Sequence, residues 1–401
     1  MVSVCLSCSS NDSNLLYDFG ELPAVNKFFS QDDVDSEKKY PLVLNYCKVC
    51  FLVQIEEVPP AEDLYQDYHH KSSASAGNVD HLKSFKDFIV DNFDLKTNIL
   101  EIGSNDSTLL NLLNEEGFDI IGIDPAINLN QDDKNVISSF FNTEIVEKIS
   151  NNYGKFDLIF GLNVFAHSKD FLDMFLATNE LLKTDGTFIF EVAYADKTIL
   201  KGNFDTIYHE HVCSYTLTSL NKVLSIAGFK IIDAYEIDTQ GGSLRLVCKK
   251  LSTNLKTNNR FTKLLDGEKK LGYSEVEFYE SIAKSIQTKV DKINQFFEVL
   301  YEKNQKILFI GAPARGVVVI NLVKSLNKKN CIVIDDTKEK QNKLFPGTHI
   351  PVTQWEKVDF GNYDIAIILS WNYSDYLLDK LTSYGFKKDV YTLIPDIKKI
   401  S

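Results

Sequence analysis

The stretch that most constrains the fold is residues 97–125, TNILEIGSNDSTLLNLLNEEGFDIIGIDP. An apolar run from Asn98 to Ile102 reads as a buried parallel strand. It stops at Gly103, followed by Ser104, Asn105 and Asp106. Helical periodicity then runs from about Thr108 to Glu116, with Gly117 as its C-cap. A second apolar run, Ile120 to Ile123, ends in Asp124 and Pro125. Glu101 and Asp124 place one acidic residue near the tip of each strand. Such a unit needs a parallel sheet, and open parallel sheets bind ligands at the carboxyl ends of their strands. Asp124 is thereby placed to take two ribose hydroxyls, and Gly103 lets a ligand approach the backbone.

A dinucleotide site would want G-x-G-x-x-G at this turn. Only Gly103 is present, with Ser107 where another small residue would stand, so the turn is a poor pyrophosphate cradle. A nucleoside without phosphates fits better, and S-adenosylmethionine is the common one. The competing reading is an ordinary α/β crossover with polar turn residues.

A chain of 401 residues exceeds one typical domain, and a hydrophobic content of 44% supports real cores. The formal net charge of -13 disfavours nucleic acid and anionic membrane as partners. No apolar stretch approaches the ~20 residues of a membrane span. MVSVCLSCSSND has no basic segment leading into an apolar core, and seven cysteines without a signal fit reduced thiols. A cytoplasmic location is expected, with a monomer favoured.

Cys5 and Cys8 form one C-x-x-C, and Cys47 and Cys50 form another. Two such knuckles suit tetrahedral zinc at ~2.3 Å per sulfur. With all four positions filled by protein, the metal is structural. The alternatives are four unrelated reduced cysteines or a redox pair.

Tyr65, Tyr68, His69 and His70 cluster before a helix expected from about Asn78 to Asn92; they read equally as a pocket lining or a solvated linker. The α/β rhythm then continues. A third strand is expected over 134–141, with Phe141 and Asn142 where an adenine can rest. A fourth strand running into a loop covers 156–167, with Asn163 and His167 at its functional end. A helix from about Phe171 to Leu182, the turn KTDG and a fifth strand TFIFEVAY follow. Two further strands, FKIIDAYEI and SLRLVCKK, meet across Gly241 and Gly242. This alternation predicts a parallel sheet flanked by helices, closed by a strand pair.

Between the fifth strand and that pair lies FDTIYHEHVCSYT, with Tyr208, His209, Glu210 and His211 together. Two histidines around a carboxylate raise the question of a metal, but H-x-H throws its side chains in different directions unless extended. Acid–base work is the stronger reading, because a neutral imidazole accepts a proton at working pH. A tyrosine hydroxyl beside it can stabilise oxyanion charge. A purely structural histidine cluster is the alternative.

Farther on, a long amphipathic helix is expected from about Ser274 to Glu302, with Ile282, Ile286, Val290, Ile293 and Phe297 on one face. KILFIGAPARGVVVINLVKSL is a second strand–turn–helix; Gly311 and Gly316 flank Ala312, Pro313, Ala314 and Arg315 at a helix N-terminus suited to an anion. Its second strand, CIVIDD, ends at Asp335, and a third ends at Trp371 and Asn372.

These blocks together resemble the nucleotide-sugar C-methyltransferase family: the cysteine knuckles with ELPAVNKFF, EIGSNDSTLL with IGIDPA, IYHEHVCSYT, and GGSLR followed by GAPARG and FPGTHIPV. The turn has Ser107 where that family commonly has glycine, and Gln240 and Arg315 where it commonly has histidine and lysine. The resemblance implies an α/β enzyme with three parts: a zinc-binding module over 1–75, a class I S-adenosylmethionine-dependent methyltransferase core with a Rossmann-like sheet over 76–255, and a long helix plus Rossmann-like domain over 256–401 that grips a nucleotide sugar. It implies His211 as base, Glu210 orienting or assisting it, Tyr208 contacting the sugar and His167 near the sugar. Tyr65, Tyr68, Tyr194, Ser243, Arg245, Pro313, Ala314, Arg315 and Asp335 become substrate contacts, and Glu101, Gly103, Ser104, Asn105, Asp106, Asp124, Pro125, Phe141, Asn142 and Asn163 line the cofactor. The implied reaction is C-methylation of a nucleoside-diphosphate-linked keto-deoxysugar. The alternatives are O- or N-methylation, or sugar-nucleotide binding without catalysis.

Overall fold

The computed structural model describes residues 4–60, 64, 71–74, 76–130, 133–239 and 241–401. Among them the strands fall into three sheets. The first is antiparallel: β1 (Ser13–Pro23), β2 (Lys39–Cys47) and β3 (Val53–Ile55) pair in sequence order.

The second sheet holds β4 (Asn98–Ile102), β5 (Asp119–Asp124), β6 (Val136–Ser138), β7 (Phe156–Leu162) and β8 (Leu182–Ala193). After a two-residue strand, β9 (Cys213–Ser214), come β10 (Phe229–Ile237) and β11 (Ser243–Lys250). Its order is β10-β11-β8-β7-β4-β5-β6, with β11 antiparallel to both neighbours and β4 to β8 parallel. Alternate residues serve opposite faces. Ile99, Leu158, Phe160 and Ile189 pack under helices Ala76–Asn92 and Thr108–Glu115. On the other face Phe165 stacks on Phe175 at 4.6 Å and Phe188 on Phe190 at 4.9 Å.

β9 leaves this sheet and joins the first, pairing antiparallel with β3. The N-terminal sheet is therefore completed by residues just beyond His211.

The third sheet has the order β14-β13-β12-β15-β16-β17, from β12 (Ile307–Ile310), β13 (Cys331–Ile334), β14 (Val352–Thr353), β15 (Ile365–Ile368), β16 (Asp389–Thr392) and β17 (Lys398–Lys399). All but β17 run parallel.

The long helix spans Val276–Glu302 and buries Tyr279, Ile282, Ile286, Val290, Ile293, Phe297 and Leu300. Each large apolar side chain contributes about 1.5–3 kcal/mol on burial. Tyr279 stacks on Tyr46 of β2 at 4.5 Å, and Phe296 meets Tyr391 of β16 at 5.2 Å. The helix thus straps the first sheet to the third. None among the described residues is long and apolar enough to cross a membrane.

Two local expectations are corrected. The third strand covers only Val136–Ser138. KTDG is not a turn before the fifth strand: β8 already starts at Leu182 and absorbs those residues as a bulge, Phe156 pairing Leu182 and Leu158 pairing Thr187. A further helix, Asn259–Leu271, packs Phe261, Leu264 and Leu265 on the core and buries Glu268 with them. The Glu268 carboxylate accepts the N–H groups of Leu217 and Thr218, both at 2.6 Å, capping helix Leu217–Ile226 with a negative charge.

Candidate active site

At the tip of β4 the backbone turns through Gly103 at φ +74°, and a Cβ there would lie 2.3 Å from Val164 Cγ2. Asn105 and Ser107 are left-handed as well, at φ 50° and 59°. Asn and Ser tolerate this poorly compared with glycine, so the turn needs external support. Asp124 supplies it: one carboxylate oxygen accepts Asn105 N–H at 2.9 Å, the other Ala126 N–H at 2.8 Å. Asp106 accepts from Ser73 and Thr108 hydroxyls, both at 2.6 Å. Glu101 lies beneath, buried; burial, then the Asp124 and Asp106 charges, push its carboxyl up to about 8. Glu101 Oε2, Ser104 Oγ and Ser107 Oγ are buried with no hydrogen-bond partner among the described residues. Pro125 is exposed beyond the tip, and Phe141 is buried with Asn142 beside it at the start of turn Thr143–Ile145. Asn163, at φ 56°, donates its N–H to the Glu191 carbonyl at the mouth of β7.

The Tyr208–His211 block runs between the first two sheets. Val212 N–H donates to the Ala166 carbonyl at 2.8 Å, and Ile55 N–H to the Val212 carbonyl at 2.9 Å. His209 and Glu210 each face away from the pair formed by Tyr208 and His211. His209 is buried with Nε2 3.2 Å from the Tyr40 and Pro41 carbonyls. Glu210 accepts from the Asn26 amide at 2.8 and 3.0 Å; burial pushes its carboxyl up to about 7 while Asn26 pulls it back. His211 Nδ1 sits 2.8 Å from the Thr206 carbonyl, an acceptor that fixes the proton on Nδ1. Nε2 then accepts from the Tyr208 hydroxyl at 2.9 Å. The His167 ring crosses it edge-on at 5.1 Å. Burial, His167 and the Arg315 charge push the imidazole down to about 3, so it is neutral at physiological pH. The expected divergence of an H-x-H pair is realised, and the block is not a metal-ligand cluster among the described residues.

Arg315, at the start of helix Ala314–Asn321, brings the third sheet to this cluster. A Cβ on Gly241 would lie 3.5 Å from its guanidinium. Pro313 caps that helix, and Asp335 braces the turn by accepting Ala312 N–H at 2.6 Å. Three expected substrate contacts are committed elsewhere. The buried Tyr194 hydroxyl donates to Glu268 at 2.8 Å, and Ser243 donates to the Thr239 carbonyl at 3.0 Å. Arg245 pairs with Glu191 at 2.7 Å, between the Phe85 and Phe88 rings, while Glu191 also meets His81 at 2.6 Å. A buried carboxylate needs such pairing, which is why Arg245 does not reach the His211 cluster. Tyr65, Tyr68, His69, His70 and Gln240 lie outside the described residues.

The four Sγ atoms of Cys5, Cys8, Cys47 and Cys50 lie within 4.8 Å of one another, and none is in a disulfide. Cys5 to Cys50 is 3.4 Å and Cys8 to Cys47 is 3.6 Å. Tetrahedral zinc spaces its sulfurs about 3.8 Å apart, so the donor set fits.

Three family models match in succession: "Putative zinc binding domain" over residues 5–65, "Methyltransferase domain" over 76–234 and "C-methyltransferase C-terminal domain" over 238–394. The chain is 26% identical to the C-methyltransferase NovU of Streptomyces niveus, over 94% of this chain and 92% of that protein. The chain is an S-adenosylmethionine-dependent C-methyltransferase similar to NovU. Solved structures of a magnesium protoporphyrin IX methyltransferase from Synechocystis with bound S-adenosylmethionine and of a methyltransferase from Archaeoglobus fulgidus are both 16% identical. Each covers 43% of this chain, and 80% and 94% of its own, at TM-scores of 0.33 and 0.35. Scores that low bear no weight; the fold assignment rests on strand order.

This C-methyltransferase is S-adenosylmethionine-dependent and binds zinc through its four cysteines. Around the first turn the orphaned buried atoms of Glu101, Ser104 and Ser107, and the cradle a Cβ on Gly103 would fill, fit the cofactor. Sequence reasoning did not single out Asn26, Thr206 or Asp205. Asn26 sits inside ELPAVNKFF, and Asp205 is an acid in an apolar segment, but neither partner is nearby in sequence.

Proposed function

We propose that the enzyme methylates the carbon next to the ketone of a nucleoside-diphosphate-linked keto-deoxysugar, with His211 as base. The observation that carries this is an imidazole held neutral, its Nδ1 tied to Thr206, with Nε2 paired to a tyrosine hydroxyl beside His167 and Arg315. The match to NovU, named a C-methyltransferase, supports carbon as the acceptor.

Asp124 and the Gly103–Asp106 turn would hold S-adenosylmethionine, whose sulfonium would supply an electrophilic methyl to the enolate carbon. His211 Nε2 removes the proton from the carbon beside the ketone. The C–H electron pair becomes the enolate double bond, and the negative charge moves to the ketone oxygen. Tyr208, exchanging its hydrogen bond from Nε2 to that oxygen, stabilises the charge. His167 meets the His211 ring edge-on at 5.1 Å. Glu210, locked by Asn26, holds the segment to the N-terminal module. Arg315 takes the diphosphate. Most of the rate enhancement is positioning of the reacting carbon.

The test is His211→Ala with methyl-labelled donor and a panel of keto-deoxysugar nucleotides. Turnover should fall about 10³-fold or more, in the range of losing a general base, while S-adenosylhomocysteine binds as before. Near-normal turnover in that variant removes His211 from the mechanism. Product NMR placing the methyl on oxygen or nitrogen would rule out the enolate route.

A further inference from the structure

Three consecutive residues before the Tyr208–His211 block face three parts of the molecule. The Phe204 ring is buried 6.3 Å from Phe19 of β1. The buried Asp205 carboxylate accepts Trp371 Nε1–H at 2.7 Å, from 166 positions along the chain. The Thr206 carbonyl accepts from His211 Nδ1 at 2.8 Å. Trp371 opens the turn Trp371–Tyr373 at the carboxyl end of β15, and its ring centre lies 5.7 Å from the Arg315 guanidinium. The second Asp205 oxygen has no hydrogen-bond partner among the described residues. A carboxylate at this depth is costly unless paired. The Trp371 N–H and the Arg315 charge, which support it, both come from the C-terminal domain.

We propose that Asp205 and Trp371 are positioning residues: their hydrogen bond locks the 204–206 turn to the C-terminal domain, so that the seating of that domain sets the orientation and tautomer of His211 through the Thr206 carbonyl. This rests on His211 being the base. The route is short. Phe204–Thr206 is a single 3-10 turn, so a shift at Asp205 moves the Thr206 carbonyl with it. Without that acceptor the imidazole proton no longer has to stay on Nδ1, and Nε2 ceases to be the basic nitrogen. The same logic governs an aspartate that holds a catalytic histidine in the right tautomer. Tyr208, His167 and Arg315 face His211, and Arg315 and Lys289 face Asp205.

The test uses the full-length enzyme carrying Trp371→Phe, Asp205→Ala or Asp205→Asn. Trp371→Phe keeps the ring and removes the N–H. It and Asp205→Ala should lower kcat about 10- to 100-fold, the scale of a small misplacement in an active site, with S-adenosylhomocysteine affinity unchanged. The acid limb of the kcat profile should move downward in pH, because the Thr206 carbonyl supports the protonated imidazole, and its loss leaves burial, His167 and Arg315 to push the ring further down. Asp205→Asn still accepts from Trp371 and should lose less than Asp205→Ala. A folded Trp371→Phe enzyme with normal kcat and an unmoved pH profile overturns the proposal, as do equal losses in the two Asp205 variants. Should Trp371→Phe not fold, the Asp205 pair decides. His211→Ala runs alongside: activity there refutes the base assignment itself, whereas an inactive His211→Ala beside an unaffected Trp371→Phe refutes only the coupling.

Discussion

At the first turn Gly103 N–H donates to the Ile123 carbonyl at 2.8 Å, and Asp124 takes the N–H of Asn105 at 2.9 Å and of Ala126 at 2.8 Å. At the second, Gly311 N–H donates to the Ile334 carbonyl at 2.7 Å, and Asp335 takes the N–H of Ala312 at 2.6 Å and of Thr337 at 2.8 Å. The backbone device is the same. The charges around it are not. Glu101, Asp106 and Asp124 surround the first turn. Arg315 follows the second, and the Lys340 ammonium donates to the Ala312 carbonyl at 2.9 Å. Backbone geometry decides that a ligand can approach, and the side chains decide its sign. An acidic turn suits a sulfonium with an α-amino group; a cationic one suits a diphosphate.

Reversing the charge at the second turn should have the largest effect. Arg315→Glu is expected to weaken sugar-nucleotide binding by about 100-fold or more, since one charge-assisted hydrogen bond is worth about 1.5–3 kcal/mol and repulsion adds to its loss. Titration calorimetry should find S-adenosylhomocysteine affinity unmoved; equal weakening of both ligands would erase the division of labour. Asp124→Ala is the mirror experiment. It should cost S-adenosylhomocysteine about 10- to 100-fold and leave the sugar nucleotide alone.

The two glycines sharpen the comparison on stability. A Cβ at Gly103 meets Val164 Cγ2 at 2.3 Å, and valine is stiff about χ1. At Gly311 the obstacle is Ser370 Oγ at 2.4 Å, which can rotate aside. Both positions are left-handed, so each alanine variant should lose about 1–3 kcal/mol in thermal unfolding, Gly103→Ala the more. Equal melting temperatures would mean that Val164 yields as readily as Ser370.

The smallest effect is on pH. Free of ligand, the Glu101 carboxyl is pushed up to about 8. A bound cation favours its ionised form and lowers that value, so the complex holds fewer protons than the free enzyme. Affinity for S-adenosylmethionine should therefore rise severalfold, to the order of 10-fold, between pH 6.5 and 8.5. Glu101→Gln should flatten the part of that rise owed to the protein. Affinity for the proposed sugar nucleotide, which the second turn would hold, should show no matching rise in either protein.

Both turns were legible in the sequence because each is local. A strand, a glycine, a polar step, a helix and a second strand ending in aspartate occupy fewer than about thirty residues, and their periodicity switches at the glycine. Much less was legible around His211. The block YHEH announced chemistry, yet the partners that decide each side chain's role lie at Asn26, Tyr40, His167 and Trp371. Tyr194 and Arg245 show the opposite error: their types suited a sugar, but Glu268 and Glu191 claim them inside the core.

The order of residues alone determined the parallel sheets, the metal knuckles and the two glycine turns, because short-range periodicity and fixed spacing carry them. Only the tertiary structure decided that β9 completes the N-terminal sheet and that one imidazole faces a tyrosine hydroxyl while its neighbour is buried against backbone carbonyls. Those outcomes depend on which strand edge lies open and which buried charge needs a partner, and these are properties of the packed chain.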